Sequence, residues 1–213
     1  THFLAYLYHT NQYELAEWVR ENVKFPSCMV DRITPRSSEK LKREVERIFP
    51  GYGHNAIQTE EFTQWVIEDK FASEFPDLTQ VGVTITDNIE PYEETKIRIL
   101  NGGHTSLAYL GVLSGYNTFD EVMNDKDHRE HFKKLQMEEI VPSIEQDLPF
   151  DIHEYVDTIE KRFTSSTNMD NLERICMDGF TKFHTFIVPS LRACLEKNKR
   201  PIHIYKSIAA WYI

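Results

Sequence analysis

The apolar positions of this 213-residue chain follow a mixed pattern at first and an almost wholly helical one later. Over residues 3–23, Leu4, Leu7, Leu15, Trp18 and Val19 recur at helical spacing with charged residues between them, which predicts a helix ended by Phe25-Pro26. Met29-Val30-Asp31-Arg32-Ile33-Thr34 reads as a strand stopped by Pro35. Ser37 or Ser38 can cap a following helix whose apolar face is Leu41, Val45 and Ile48. Pro50-Gly51-Tyr52-Gly53 is a turn cluster, and 64–68 and 81–85 read as two further short strands. From Asn88 the texture changes. Pro91 suits the first turn of a helix, and helical spacing recurs over 92–115, 118–124, 127–141, 151–163, 170–178, 180–197 and 201–212. Pro142, Pro149, Pro189 and Pro201 punctuate this half, with Val188-Pro189 placed to kink a helix or to end it. The pattern therefore predicts a mainly α protein with a short α/β portion. Residues 1–88 form the α/β segment and residues 89–213 a helical domain.

Composition narrows the function classes. Apolar residues make up 40% and aromatics 12%, enough for an ordinary core. Basic residues number 24 and acidic ones 34, a net charge of -10, which argues against a partner that is nucleic acid or an anionic membrane. No apolar run approaches the roughly 18 residues of a membrane span, and no signal-peptide pattern opens the chain. Cys28, Cys176 and Cys194 are few, odd in number and far apart, which points to a reducing, cytoplasmic compartment and to small core residues, not nucleophiles. The chain starts in mid-pattern and stops inside the apolar run Ile208-Ala209-Ala210-Trp211-Tyr212-Ile213, so it is expected to be a piece of a longer protein. It holds no G-x-G-x-x-G fingerprint, which places any dinucleotide pyrophosphate site outside it.

Candidate chemistry concentrates at Lys96, Asn101 and His104. On an α-helical wheel of about 100° per residue they fall near 0°, 140° and 80°, within about two-fifths of the circumference. Gly102-Gly103 between them costs about 1 kcal/mol each relative to Ala in a helix, which suggests close approach by a ligand or another backbone. Spacing alone is equally served by a solvated Lys, an Asn and a satisfied His on a helix rim. His128 and His131 have the i, i+3 spacing of a metal pair, but they lie on a charged helix face with no third ligand nearby, and no metal is expected. Asp178-Gly179 and Asp69 read as turn chemistry.

Four blocks in order carry a resemblance. Lys96-Ile97-Arg98-Ile99-Leu100-Asn101-Gly102-Gly103-His104, continuing to Ala108-Tyr109 and Gly111, resembles the K-x-R-x-L-N-x-x-H-x-x-x-A-Y-x-G signature of the polyol-specific long-chain dehydrogenases, the mannitol dehydrogenase family. Phe25-Pro26 with Met29-Val30-Asp31-Arg32-Ile33-Thr34-Pro35, Gln64-Trp65-Val66-Ile67-Glu68-Asp69, and Arg174-Ile175 with Asp178-Gly179 and Lys182 are similar to three more blocks of that family. The resemblance implies a helical domain like the C-terminal domains of the 6-phosphogluconate dehydrogenase-like group. It also implies NAD- or NADP-linked oxidation of a secondary hydroxyl of an acyclic polyol to a ketose. Lys96 would then be the general base, Asn101 the hydrogen-bond partner of the substrate oxygen, and His104 a group that binds or orients a hydroxyl. Asp31, Arg174 and Lys182 would be substrate-binding residues. A lysine base works near neutral pH when burial or nearby positive charge draws its pKa down from about 10.4, and Arg174 and Lys182 are the natural source of that charge. Asp31 has a simpler alternative, pairing with Arg32 at the strand end. The resemblance places most cofactor contacts, and a second oxyanion-donating asparagine, upstream of this chain. The partner is a polyol or a sugar acid, and the oligomeric state stays open, a monomer included. Two alternatives remain: a hexuronate reductase of the same family, acting on fructuronate or tagaturonate, and a catalytically silent binding or oligomerisation domain.

Overall fold

A computed structural model describes residues 2–166 and 170–213. These form two compact units, one of residues 1–30 and 64–89 and one of residues 31–63 and 90–213.

In the first unit the helix expected over 3–23 is two helices, α1 (His2–His9) and α2 (Tyr13–Asn22). They break at Asn11, which takes a left-handed φ of 58°, a conformation that asparagine tolerates better than most residues. Leu7, Ala16 and Val19 pack the two together. The sheet has the order β1 (Cys28–Asp31), β2 (Gln64–Glu68), β3 (Thr84–Thr86), with β2 and β3 parallel and Ile67 opposite Ile85. β3 starts later than its apolar run suggests. Leu78–Val81 coils into a 3-10 turn that ends at Gly82, whose φ of 86° favours glycine.

The second unit takes residues 31–63 along with the helices, although their pattern is that of the α/β half. α3 (Glu39–Ile48) is capped by Ser38, whose Oγ accepts the Leu41 amide at 3.1 Å. The helical half follows as α4 (Glu90–Thr95), α5 (Gly102–Leu113), α6 (Phe119–Asn124), α7 (Lys126–Lys134), α8 (Ile152–Phe163), α9 (Leu172–Cys176), α10 (Gly179–Lys182), α11 (Val188–Glu196) and α12 (Ile202–Tyr212). Asp125, Asp151 and Asn171 cap α7, α8 and α9 through their side chains. The core is built on Ile99, Leu107, Phe119, Phe132, Leu135 and Ile159, all buried.

Three stretches of this half are π-helical: Lys96–Asn101 between α4 and α5, Leu135–Ile140 after α7, and Phe183–Ile187 between α10 and α11. The first packs against both others. The second and third each precede a proline, Pro142 and Pro189. A proline clashes with the carbonyl four residues back, here Glu138 or Thr185, and both positions fall inside the widened turn. The helix at Val188-Pro189 therefore runs on through its proline instead of ending there.

Candidate active site

Lys96 opens the first π segment and Asn101 closes it. A π-helix bonds residue i to i+5, so these two residues stand one turn apart on the same side. An α-helix would hold them about 140° apart by the 100° step. Arg98, between them, is buried at 5% exposure and ties the segment to its surroundings. Its Nε donates to Ser190 Oγ at 3.1 Å, one Nη donates to the Ser143 carbonyl at 3.2 Å, and the same group pairs with Glu94.

The glycine pair is explained by close packing. A Cβ on Gly103 would come within 2.6 Å of Gln136 Nε2 and 2.8 Å of a Phe132 ring carbon. One on Gly102 would meet the Phe186 carbonyl at 3.1 Å. Because Gly103 has no side chain, buried Gln136 reaches across and donates from Nε2 to the Ile99 carbonyl at 3.0 Å. Of the two readings of the glycines, approach by neighbouring protein groups is the one observed.

Within this frame Asn101 Oδ1 is buried and has no hydrogen-bond partner among the described residues. An unpartnered buried amide oxygen costs about 1–3 kcal/mol, so its persistence marks a place where a ligand group or a water completes the site. His104 stands one turn further on. Its ring lies edge-on to Phe119, with centroids at 4.2 Å, and stacks on Phe163 at 5.3 Å. Burial lowers its pKa to about 4, with Asp170 opposing and Arg174 and Lys182 adding to the shift. The imidazole is therefore neutral near pH 7 and offers one donor and one acceptor.

Arg174 and Lys182 line one cavity. Arg174 forms a two-pronged pair with Asp170, one arm at 2.7 Å, and Asp170 is only 3% exposed. Lys182 Nζ donates to the Ile175 carbonyl at 2.8 Å, and burial followed by the Arg174 charge lowers its pKa. Gly179 lets α10 approach the rest of this wall, because a Cβ there would meet the Tyr109 hydroxyl at 2.3 Å and Trp211 Nε1 at 2.6 Å. Cys176 nearby is held as a thiol, its pKa pushed up to about 11 by burial.

Asp31 has a different set of partners. It is 3% exposed and chelates Arg162, accepting from its two Nη atoms at 2.8 and 2.9 Å. Arg162 also donates to both oxygens of Glu60, at 3.0 and 2.7 Å, and lies over the Phe62 ring at 4.0 Å. The Tyr155 hydroxyl faces Asp31 without reaching hydrogen-bond geometry, and burial, then the Asp31 charge, raises its pKa. The partner of Asp31 is thus Arg162, from 131 residues away, and not Arg32, whose Nε donates to the Glu60 carbonyl.

The histidines of α7 also part ways. His128 pairs with Asp125 at 2.7 Å, whereas His131 is buried and meets His203 with their Nδ1 atoms 3.2 Å apart. Among the described residues no group of three or more His, Cys, Asp or Glu could hold a metal ion, and no helix is long and apolar enough to cross a membrane. Burial, with help from Lys206, lowers His131 to about 3. For His104 and His131 the folded-state pKa lies below the ordinary 6.5. The unfolded chain then takes up protons that the folded chain refuses. This contribution to stability is complete above pH 6.5 and is lost as pH falls towards about 4 and then 3. The thermal midpoint is expected to drop over that window, and His131→Gln to flatten part of the drop. An equal slope in wild type and variant would show that His131 is not a source of it.

Asp170, Arg162, Glu60 and Gln136 are absent from the sequence-level site. Asp170 had a signal, since it lies four residues before Arg174 with the acid–base order of a helical pair. The others had none, because their partners are distant in sequence.

Residues 88–213 match the sequence profile of the Mannitol dehydrogenase C-terminal domain, and residues 2–80 that of the Mannitol dehydrogenase Rossmann domain. A mannitol 2-dehydrogenase of Aspergillus fumigatus is 38% identical over 202 residues, covering 93% of this chain and 40% of the relative. The structure of a Pseudomonas fluorescens mannitol 2-dehydrogenase, a ternary complex with NAD and D-mannitol, superposes with a TM-score of 0.81 at 35% identity, again over 93% of this chain and 40% of the other. A D-sorbitol dehydrogenase in substrate-free form gives 0.88 at 31% identity, over 98% and 43%. The chain thus spans about two-fifths of the length of these relatives.

Proposed function

The chain belongs to the mannitol dehydrogenase family, and on that premise we propose that the intact protein oxidises a secondary hydroxyl of an acyclic polyol, of the mannitol or arabinitol type, to a ketose with NAD or NADP. The observation that supports this best is that Lys96 and Asn101 bound one π segment, followed by a neutral His104.

Each group has one task. Lys96 Nζ takes the proton of the reacting hydroxyl. The Asn101 amide donates a hydrogen bond to the same oxygen as negative charge develops, a stabilisation that needs no reorganisation during the reaction. His104 gives and accepts a hydrogen bond at a neighbouring hydroxyl. Arg174 and Lys182 hold further hydroxyls. No metal is needed in this scheme. Asp31, expected at the substrate, also chelates Arg162 and so fixes residues 31–63 to α8. A bound NAD or NADP would supply the hydride acceptor for this chemistry. Residues 96–182 carry the substrate side of that reaction, and residues 2–80 match the family's Rossmann domain. The functional boundary lies near 88/89, with the cofactor side before it and the substrate side after it. The unpaired thiols of all three cysteines suit a cytoplasmic enzyme.

The second reading, a hexuronate reductase, is favoured by one observation: Arg174 and Lys182 line a single cavity. An assay of the intact protein decides among the readings. Formation of NADH or NADPH is expected with mannitol or arabinitol. Turnover confined to fructuronate or tagaturonate with reduced cofactor would move the assignment to the second reading. No turnover with any of these would leave a silent binding domain.

A further inference from the structure

We propose that Gln136 is a positioning residue for the reaction: its side-chain amide grips the Ile99 carbonyl and so holds the π turn that Lys96 and Asn101 bound. The proposal rests on the reading above and extends it to a residue outside the four family blocks.

Widening a helical turn shifts its amides by one residue, and a carbonyl of the segment then loses its usual partner. Here the Gly102 amide is shared between the Ile97 and Ile99 carbonyls. Gln136 gives the Ile99 carbonyl a donor of its own, Nε2 at 3.0 Å. It comes from the second π segment and is wholly buried, so water does not compete for that carbonyl. Glycine at 103 admits it, because a Cβ there would stand 2.6 Å from Nε2. In an α register the Ile99 carbonyl would take the Gly103 amide instead, four residues on, and Lys96 and Asn101 would fall about 140° apart.

Packing does not account for this glutamine. Its Oε1 is buried and has no hydrogen-bond partner among the described residues, an arrangement that protein cores avoid because it is costly. Leu135 beside it and Phe132 one turn earlier belong to the hydrophobic core. A methionine would fill a similar volume there and leave no polar atom unpaired. The gain that offsets the unpaired oxygen is the bond to Ile99. Arg98 does not duplicate it, since the arginine anchors the segment through its side chain, to Ser190 and to the Ser143 carbonyl.

The test measures oxidation of mannitol and arabinitol by the intact protein and its Gln136→Met variant. The variant's kcat is expected to fall about 10- to 100-fold, as a small misplacement of reacting groups would cause, with KM for the polyol nearly unchanged. Gln136→Glu keeps the shape, and at about pH 6 burial keeps its carboxyl neutral, so its O–H can still donate to the Ile99 carbonyl. It should recover most of the lost turnover. Gln136→Met combined with Lys96→Ala separates positioning from a general weakening of the fold. A weakened fold would add its full loss to that of Lys96→Ala, whereas a residue acting through Lys96 adds much less once the lysine is gone. Should Gln136→Met not fold, Gly103→Ala carries the same test, since its Cβ displaces Nε2. A kcat equal to wild type, Gln136→Glu no faster than Gln136→Met, or a fully additive double variant overturns the proposal and leaves the dehydrogenase reading intact. If the wild-type protein oxidises no polyol, it is the dehydrogenase reading that fails. A crystal structure of the variant then judges Gln136 by itself: an α register over 96–101 is expected, and an unchanged π turn refutes its role.

Discussion

Replacing Lys96 by Ala in the intact protein is expected to lower polyol turnover by about 10²–10⁴-fold, the usual contribution of a positioned general base. The structure makes this a clean test. Lys96 is half-buried at the head of the π segment and forms no hydrogen bond or ion pair among the described residues, so its side chain anchors nothing there. The segment is held instead by Arg98 and by the contact from Gln136 to Ile99. Ala suits a helical position, and the Asn101 and His104 groups stay in place. The loss should therefore fall on kcat, with KM for the polyol nearly unchanged, because a proton acceptor acts in the transition state more than in binding. Steady-state kinetics over a range of polyol concentrations would show this. Turnover equal to wild type would remove Lys96 from the mechanism.

The second large effect concerns stability. Arg162 is buried among Asp31 and Glu60, each at or below 6% exposure. Arg162→Ala removes the guanidinium that both buried carboxylates share, a change that costs about 3–5 kcal/mol in comparable buried pairs. Against a total of about 5–15 kcal/mol for a typical domain, this is a large fraction. The intact variant is expected to melt well below wild type. Asp31→Asn and Glu60→Gln added together should recover part of the loss, since two neutral amides need no cation. A melting temperature unchanged in Arg162→Ala would mean that the cluster is solvated in solution. A triple variant no better than the single one would show that packing of the long Arg side chain over Phe62 matters more than charge.

Local features of this molecule follow from local residues. Ser38, Asp125, Asp151 and Asn171 start their helices because a short oxygen-bearing side chain meets free amides at the first turn. The helical half is legible for the same reason, as apolar residues at helical spacing need a common core. Misplaced boundaries trace to single residues. Asn11 splits the first helix and Gly82 delays β3, each by taking a left-handed conformation that an averaged pattern does not register.

By itself the sequence determined the mainly helical architecture, the caps, and the residue types gathered in the four family blocks. Tertiary structure decided how those residues meet. Lys96 and Asn101 share a side only because the turn between them is widened, and the widening persists through contacts with two other π segments and with Gln136, 35 residues beyond Asn101. Asp31 became part of a buried ion cluster because α8 delivers Arg162 to it, and its placement in the helical unit follows from that distant contact. Periodicity and spacing describe neighbours along one helix. They carry no information on which carbonyl, carboxylate or cation another helix will bring, and burial makes those partners decisive by removing water as the alternative.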